Sequence, residues 1–341
     1  MKKAVTIKEI AEELGLSRNT VSKALNGQYV PKKTRELVLR KARQMNYKSL
    51  DSEASRSQKH RILLLSGKPF HNMEFFVPLV QSIENHCYDR HYDFFEYTYN
   101  SKTTSFDSIS KYILSLHIDG IIAIECFDPN FVIELLSLNV PTCFIDFPGY
   151  KFEAVKKYDL ICSSDQKSVC ESVRELHEKH KVRHFCFVGD YRHCLSFHER
   201  YMGMLRGIIK FSPTHPKEED ILDDDSSFDY GNISALEKRI MSLKVFPEVF
   251  VCCNDFVARN VATAVTKLGR KIPDEVMILG FDDVPKAVEE SPAISTLAVN
   301  KDFIGEQAIG LLVSRIESKS SPTRTLFVDC EFKERESTRR K

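Results

Sequence analysis

The chain of 341 residues has no tryptophan, no C-x-x-C pair among its ten cysteines and no apolar run of membrane-spanning length. Without tryptophan, any aromatic stacking must come from phenylalanine or tyrosine. The cysteine spacing argues against a zinc or redox site, and several cysteines lie inside apolar, strand-like runs. This pattern indicates reduced core residues in a cytoplasmic protein, and no signal-peptide pattern opens the chain.

Motifs of the common catalytic classes are also missing. The sequence has no G-x-S-x-G, no G-x-x-x-x-G-K-[ST], no H-E-x-x-H and no G-x-G-x-x-G after a strand. The clustered His177, His180 and His184 lie at a predicted helix end, where solvated side chains are expected rather than a metal site. We therefore predict no enzyme, metal or cofactor, although a two-lobed cleft could support catalysis through Asp165 or Asp282.

Charge is nearly balanced overall but unevenly distributed along the chain. Residues 1–48, which we call the head, hold twelve basic and four acidic residues, a net charge of +8. The remaining residues hold 37 basic and 44 acidic residues, a net charge of −7. A basic head on an acidic body predicts that the head alone is attracted to nucleic acid.

The stretch Thr6–Asn26 predicts two short helices around a tight turn. Thr6 and Glu9 have the capping-box spacing, Gly15 suits a left-handed C-cap and Ser17 can cap the second helix. Four polar side chains remain outside on that second helix: Arg18, Asn19, Ser22 and Lys23. A recognition helix requires such a face, although an ordinary helical hairpin with solvated polar residues has the same pattern.

A third amphipathic helix is predicted after Pro31, and three helices give such a module the smallest self-supporting core. A mostly basic cluster opens this helix: Lys32, Lys33, Thr34 and Arg35. The cluster could lie along a phosphate backbone or simply face solvent. Residues 48–61 are polar and serine-rich, which predicts a linker.

From Ile62 onward, short apolar strands alternate with amphipathic helices in two similar series. This alternation predicts two lobes, each with a parallel sheet wound on both sides. We predict an all-α helix-turn-helix module at 1–48, a hinge at 49–60 and a two-lobed α/β core at 61–341. Lobe one is expected at 61–161 and 295–323, and lobe two at 162–294 and 324–341.

In such sheets, ligands bind at the carboxyl ends of the strands, which here predicts a cleft between the lobes. Polar residues follow four predicted strands or open the next helix: Asp165, Arg200, Asn254 with Asp255, and Asp282 with Asp283. These groups form a hydrogen-bonding set suited to a polyhydroxylated ligand. Each acid or amide could equally serve as a helix cap, so both interpretations remain open for any one of them.

Sequence motifs occur in a specific order over almost the whole chain. They are TIKEIAEELGLSRNTVSKALNG, TRELVLRKARQMNY, HIDGIIAI, VPTCFID, Arg200-x-x-Gly203, CCNDFVA, IPDEVMILGFDD, SPAISTLAVNKDFIGEQAIGLL and KERESTRR. Together they resemble the LacI/GalR family of bacterial transcription regulators. The resemblance implies a core like the periplasmic sugar-binding proteins and a homodimer that binds a palindromic, double-stranded operator. It also implies a small sugar or nucleoside-like effector in the cleft.

The resemblance assigns roles to residues of the head. Arg18, Asn19 and Lys23 match the base-reading positions of the family. Arg and Lys suit guanine O6 and N7, and Asn suits adenine N6 and N7. Other residues match positions that mostly hold the DNA backbone: Ser17, Thr20, Ser22, Asn26, Tyr29 and Thr34.

In the core, the resemblance assigns effector contacts to Asp165, Arg200, Asn254 and Asp282. Three aromatic residues match positions where family members pack side chains on the ligand: Phe75, Phe76 and Phe303. For these three, a place in the core of a lobe is the alternative.

The predicted hinge departs from the family pattern. Ser49 stands where a proline is expected, Glu53 where an alanine is, and Arg56 where a leucine wedges into the minor groove. Arginine can enter a narrow minor groove through its charge, but it makes a poor apolar wedge. This hinge therefore does not predict the usual coupling, in which the effector orders or melts a hinge helix.

We predict a sequence-specific DNA-binding regulator, a repressor by family resemblance, with a small effector between its lobes. One alternative keeps DNA binding but replaces the small effector with a protein co-regulator. Another is a sugar-binding receptor with a vestigial DNA-binding head.

Overall fold

The computed structural model describes residues 5–25, 30–45, 47, 60–69, 74–100, 103–148, 158–211, 221–222, 228–318 and 320–340. The chain divides into two compact units, Met1–His60, which contains the head, and Arg61–Lys341, which is the core. Among the described residues, no helix is both long and apolar enough to cross a bilayer.

The head contains the helices α1 (Ile7–Leu14), α2 (Arg18–Leu25) and α3 (Lys32–Gln44). At the start of α1, the Thr6 N–H donates to Glu9 Oε2 at 2.7 Å and the Glu9 N–H donates to Thr6 Oγ1 at 3.3 Å. The helix ends at Gly15, whose φ of +62° is a left-handed conformation that glycine adopts without a Cβ clash. The predicted capping box and C-cap are confirmed.

The start of α2 is fixed by Ser17, whose Oγ accepts from the Thr20 N–H at 3.0 Å, as the sequence predicts. Small and β-branched residues at helical spacing let the three helices pack closely. Among the described residues of the head, the buried hydrophobic side chains are Ile10, Ala11, Val21, Ala24, Val38 and Ala42.

The core begins with strands and helices in regular alternation. These elements are β1 (Arg61–Ser66), α4 (Phe76–Asp89), β2 (Asp93–Thr98), α5 (Phe106–Ser115), β3 (Gly120–Ile124), α6 (Pro129–Ser137), β4 (Thr142–Ile145) and β5 (Asp159–Ser163). The second run comprises α7 (Asp165–His180), β6 (Phe185–Val188), α8 (Leu195–Phe211), β7 (Ile221–Leu222), α9 (Ile233–Met241), β8 (Val249–Cys252), α10 (Asp255–Lys267), β9 (Met277–Asp282), α11 (Pro285–Glu289) and β10 (Ser295–Ala298). The chain ends with α12 (Lys301–Glu317), β11 (Thr325–Val328) and β12 (Glu331–Lys333).

These strands form two six-stranded sheets. Sheet one has the order β11-β5-β4-β3-β1-β2 and is parallel throughout. Sheet two has the order β12-β10-β9-β8-β6-β7, with only β12 antiparallel. The predicted two-lobed α/β core with doubly wound sheets is confirmed. All ten cysteines are free thiols and nine of them are buried, as expected for core residues.

The predicted boundaries between the lobes need correction. β5 and β11 pair within sheet one, whereas β10 pairs with β9 in sheet two. The predicted border at 161 therefore falls inside β5. The borders at 294 and 323 place β10 in lobe one and β11 in lobe two, whereas β10 belongs to sheet two and β11 to sheet one. These strands are only four or five residues long, and their sequences do not indicate which sheet they join.

A buried ion cluster holds α12 and the chain that follows it against lobe one, which is the lobe built on sheet one. Asp159 is fully buried in β5, and its carboxylate accepts from Arg315 Nε at 2.8 Å and from Arg324 Nη2 at 2.7 Å. Burial alone would raise the pKa of Asp159, but these hydrogen bonds hold it below its usual value. The cluster joins α12 and the residue before β11 to β5 of sheet one.

Candidate functional site

The exposed face of α2 carries the three predicted base-reading residues. Arg18, Asn19 and Lys23 are all exposed, and Asn19 and Lys23 lie one helical turn apart. α2 contains no acidic residue, so this face presents only cationic and neutral polar groups. Such a face has the hydrogen-bonding groups and the sign of charge that a DNA groove requires.

Of the six residues predicted to contact the DNA backbone, the structure describes four. Ser17 is exposed and shares a 2.8 Å hydroxyl–hydroxyl hydrogen bond with Thr20, while Thr20, Ser22 and Thr34 are half-buried. The remaining predictions, Asn26 and Tyr29, lie outside the described residues, as does Arg56 of the predicted hinge.

A cavity of about 550 Å³ lies in the core and is lined by residues of both lobes. Its lining comes largely from the carboxyl ends of strands in both sheets, where doubly wound sheets bind ligands. Five of the seven predicted effector-contacting residues line it: Phe75, Phe76, Arg200, Asn254 and Asp282.

The other two predicted residues do not line the cavity. Asp165 is only 2% exposed because it opens α7 behind Arg200, where its Oδ1 accepts from Ser163 Oγ at 2.7 Å. Phe303 is 40% exposed in the first turn of α12, and the neighbouring Ile304 faces the cavity instead. A difference of one position around a helix is beyond what a sequence motif can resolve.

Arg200 is the centre of the polar network in the cavity wall. Its Nε donates to Asp165 Oδ1 at 3.1 Å and its Nη1 donates to the Cys253 carbonyl at 2.5 Å. The same Nη1 lies 3.7 Å from Asp282 Oδ1, and the guanidinium lies 3.6 Å from the ring centroid of Phe281. Asp165 therefore positions Arg200, and Arg200 presents its charge toward Asp282.

The glycine of the Arg200-x-x-Gly203 motif has a packing role. A Cβ on Gly203 would lie 2.7 Å from the Gln166 carbonyl oxygen and 2.9 Å from Val169 Cβ. Gly203 therefore allows α8 to approach α7 closely enough for Arg200 to reach Asp165.

Two carboxyl groups of the cavity have raised pKa values. Burial raises the pKa of Asp282 to about 7, against the opposing effect of Arg200. Burial also raises the pKa of Asp146 to about 6, against a hydrogen bond from the Phe147 N–H. Both groups therefore change charge near neutral pH, which is uncommon for aspartate outside functional sites.

Three acidic residues that line the cavity have left-handed backbone conformations. The φ angles are +54° at Glu125, +63° at Asp146 and +109° at Asp282, each at the end of a strand. Such conformations are unfavourable for residues with a side chain and concentrate at functional sites. Glu125 and Asp146 are not among the site residues predicted from the sequence, although each directly follows an apolar strand.

Asn254 combines the two roles that the sequence left open. Its Oδ1 accepts from the Val257 N–H at 2.9 Å and caps α10, while the residue also lines the cavity. The neighbouring Asp255 is fully buried and accepts from Thr296 Oγ1 at 2.7 Å, and Asp283 pairs with Arg335 at 2.5 Å. Asp255 and Asp283 therefore join elements of lobe two, the lobe built on sheet two.

Asp146 also connects the two lobes at the cavity. It follows β4 in lobe one, and its Oδ1 accepts from the Ser196 N–H at the start of α8 in lobe two, at 3.1 Å. Nearby, the Leu195 N–H donates to the Phe147 carbonyl at 3.0 Å. A molecule bound beside Asp146 would therefore contact a junction between the lobes.

Comparison with known proteins gives matches to both parts of the chain. Residues 6–49 match the profile of bacterial regulatory proteins of the lacI family, and residues 173–338 match that of a periplasmic binding protein-like domain. The HTH-type transcriptional repressor PurR of Haemophilus influenzae is 24% identical over 340 residues, covering 92% of each chain.

Solved structures show the same fold over nearly the full length. A complex of the transcriptional regulator CelR with cellobiose has a TM-score of 0.72 at 18% identity, covering 98% of this chain and 99% of that one. The lac repressor dimer bound to operator and the anti-inducer ONPF has a TM-score of 0.67 at 17% identity, with the same coverage.

Proposed function

Because this chain belongs to the LacI family of bacterial regulatory proteins, we propose that it is a homodimeric repressor that binds a palindromic operator. We further propose that a small, sugar-like effector binds in the cavity between the lobes. The observation that carries the proposal is the exposed, acid-free face of α2 in a chain whose core contains a cavity lined by both lobes.

The DNA contacts follow from the chemistry of α2. The guanidinium of Arg18 and the ammonium of Lys23 suit guanine O6 and N7, and the Asn19 amide suits adenine N6 and N7. Ser17, Thr20, Ser22 and Thr34 would hold the backbone and orient the head without reading sequence. In a two-fold dimer, each head would read one half-site.

Control by the effector follows from the contacts between the lobes. Arg200, Asn254 and Asp282 come from lobe two, whereas Phe75 and Phe76 come from lobe one. A ligand that contacts both groups stabilises one arrangement of the lobes, and any difference in affinity between DNA-competent and incompetent dimers becomes a change in operator affinity.

DNA selection followed by a matched pair of variants tests the proposal. A duplex selected from a random pool is compared with its scrambled version for wild type, Lys23→Ala and Lys8→Ala. Each variant removes one exposed positive charge from the head, but Lys8 lies on α1, where it pairs with Glu12. We expect Lys23→Ala to reduce discrimination about tenfold per half-site, within the range for a base contact, and Lys8→Ala to leave discrimination unchanged.

Salt dependence provides a second measurement on the same proteins. Affinity for the selected duplex should fall steeply with salt, because phosphate contacts release counterions. A wild-type protein without sequence preference or salt dependence would contradict the proposal. An equal loss of discrimination in both variants would remove the role given to α2.

A further inference from the structure

The cations that line the cavity are already paired with carboxylates. Among the described residues, four lysine and arginine side chains line it, and each has a carboxylate within ion-pair distance. The pairs are Lys68–Glu125 (2.8 Å), Lys286–Glu74, Arg259–Glu290 (2.7 Å) and Arg200–Asp165 (3.1 Å). His193 also lines the cavity, and burial lowers its pKa, which favours the uncharged ring near neutral pH.

This pairing disfavours an anionic ligand. A phosphate placed beside Lys68 would also lie near Glu125, and one placed beside Arg200 would face Asp165 and Asp282. Displacing the buried Asp165 from Arg200 leaves a charge without compensation, which is strongly unfavourable. The described lining therefore offers no cation that is free to receive a phosphate.

The remaining polar groups suit neutral hydroxyl or amine groups. The carboxyl groups of Asp146 and Asp282 can accept hydrogen bonds, and the side-chain nitrogen of Asn254 can donate one. They stand at the ends of β4, β9 and β8, so they approach the cavity from both sheets. Such groups recognise hydroxyls, and the two carboxyl groups add negative charge once they ionise, which repels a phosphate.

Aromatic rings of both lobes provide the apolar part of the lining. Phe75 and Phe76 pack edge to face in lobe one, with ring centroids 5.0 Å apart. In lobe two, Phe197 lies 5.7 Å from the His193 ring, and Phe256 also lines the cavity. Ring faces of this kind bind the apolar face of another ring, whether a sugar, an aryl group or a base.

The size of the cavity limits the ligand further. A volume of about 550 Å³ lies within the range of about 300–1,000 Å³ that small-molecule pockets span, so the cavity suits a small molecule.

We propose that the effector is an uncharged, hydroxylated molecule with at least one ring, and that the cavity rejects its phosphorylated counterpart. This inference rests on the proposed function, which places the effector in this cavity. A disaccharide, an aryl glycoside and a nucleoside share this chemistry, so the experiment has one arm for each.

The test measures binding of three matched pairs to the full-length protein by calorimetry. The neutral probes are cellobiose, p-nitrophenyl β-D-glucoside and adenosine, and each is paired with its monophosphate on a primary hydroxyl. We expect at least one neutral probe to bind with a Kd below about 100 μM, and its monophosphate to bind at least about 100-fold more weakly. A phosphorylated probe that binds as tightly as its neutral partner, or a failure of all three neutral probes to bind, overturns the inference.

A matched pair of variants tests the cause of the selectivity. Glu125→Gln removes the carboxylate beside Lys68, and we expect the preference for the neutral probe to shrink about tenfold. Glu331→Gln removes the partner of Lys333, and neither residue lines the cavity, so the preference should not change. Equal preferences in both variants would overturn the explanation by paired charges. Thermal unfolding of each variant confirms that it is folded.

The DNA selection experiment keeps the two proposals distinguishable. A protein that reads a specific duplex but binds only phosphorylated probes contradicts the inference and leaves the proposed function intact. A neutral probe that binds without altering DNA affinity supports the inference and contradicts effector control.

Discussion

The proposed DNA-reading face of α2 and the polar wall of the cavity place their key side chains in opposite environments. Arg18, Asn19 and Lys23 are exposed on one helix, and the head core beneath them is formed by other residues. Arg200 is 5% exposed and Asp165 is 2% exposed, and both belong to one hydrogen-bonded network. Side chains of the first kind can be exchanged without loss of the fold, whereas those of the second kind are part of it.

This difference has a physical origin in how each site is built. A helix face binds its partner through side chains that project outward, because the backbone N–H and C=O groups are already hydrogen-bonded within the helix. A cavity at strand ends must bury its polar groups, and each buried group needs a partner. Changes in the two regions should therefore differ in their effect on stability.

The largest effect is expected from replacing Arg200. Arg200→Met leaves Asp165 buried without its cation, so we expect the free energy of unfolding of the core to fall by about 3–5 kcal/mol. Arg259→Met is the control, because Arg259 also lines the cavity and pairs with Glu290 but has a side chain that is 26% exposed. Loss of that pair should cost no more than about 1 kcal/mol. Denaturant unfolding measures both, and equal losses would contradict the difference drawn between the two regions.

The head could be read from the sequence almost residue by residue. Its structure depends on local interactions, and the capping pair Thr6 and Glu9, the C-cap Gly15 and the cap Ser17 all act within four residues of their partners. The alternation of strands and helices likewise predicted the two α/β lobes, because it follows from which residues are apolar.

The cavity could be predicted only in part, because its geometry depends on contacts distant in sequence. The strand-end rule found Asn254 and Asp282, and the family resemblance added Phe75 and Phe76. Neither the strand-end rule nor the resemblance showed that Asp165 lies behind Arg200, because this position follows from the close packing of α7 and α8 at Gly203. The sequence also did not assign β5, β10 and β11 to their sheets, because the residues of a short strand do not specify its pairing partner.

A smaller and more local effect is expected from removing helix caps. Thr6→Ala removes the capping box of α1 in the head, and Ser105→Ala removes the side chain that accepts from the Ser108 N–H at 3.4 Å in the core. Each should cost about 1 kcal/mol. We expect Thr6→Ala to weaken DNA binding at elevated temperature, because the head has a small core, and Ser105→Ala to leave it unchanged.

Differential scanning calorimetry with a DNA-binding assay across temperature separates the two cases. A loss of DNA binding in Ser105→Ala equal to that in Thr6→Ala would contradict the local character of the head. If Thr6→Ala leaves the DNA binding and the thermal unfolding of the head unchanged, the cap contributes little to the stability of the head.

The smallest effect concerns the pH dependence of effector binding through Asp282. A ligand hydroxyl donates a stronger hydrogen bond to the ionised carboxylate than to the protonated carboxyl, and burial raises the pKa of Asp282 to about 7. With this pKa, affinity should rise by up to about fourfold from pH 6.5 to pH 8.5 as the ionised fraction grows. The stability of the unliganded protein changes in the opposite direction, because a pKa raised from 3.8 to about 7 means that the folded state holds this proton more tightly than the unfolded chain. That contribution to stability is present below pH 3.8 and is lost as the pH rises through about 7.

Two variants separate Asp282 from the second titrating carboxyl of the cavity. Asp282→Asn should bind the effector more weakly and with no pH dependence above pH 6.5, because the amide does not ionise. Asp146→Asn should retain most of the fourfold rise, since the pKa of Asp146 is about 6 and this carboxyl is largely ionised above pH 6.5. Calorimetric titration at several pH values, in buffers of different ionisation enthalpy, also counts the protons released on binding. If Asp282→Asn keeps the rise and Asp146→Asn loses it, the ligand hydroxyl contacts Asp146 at the junction between the lobes, and the polar centre of the cavity lies there instead of at Arg200.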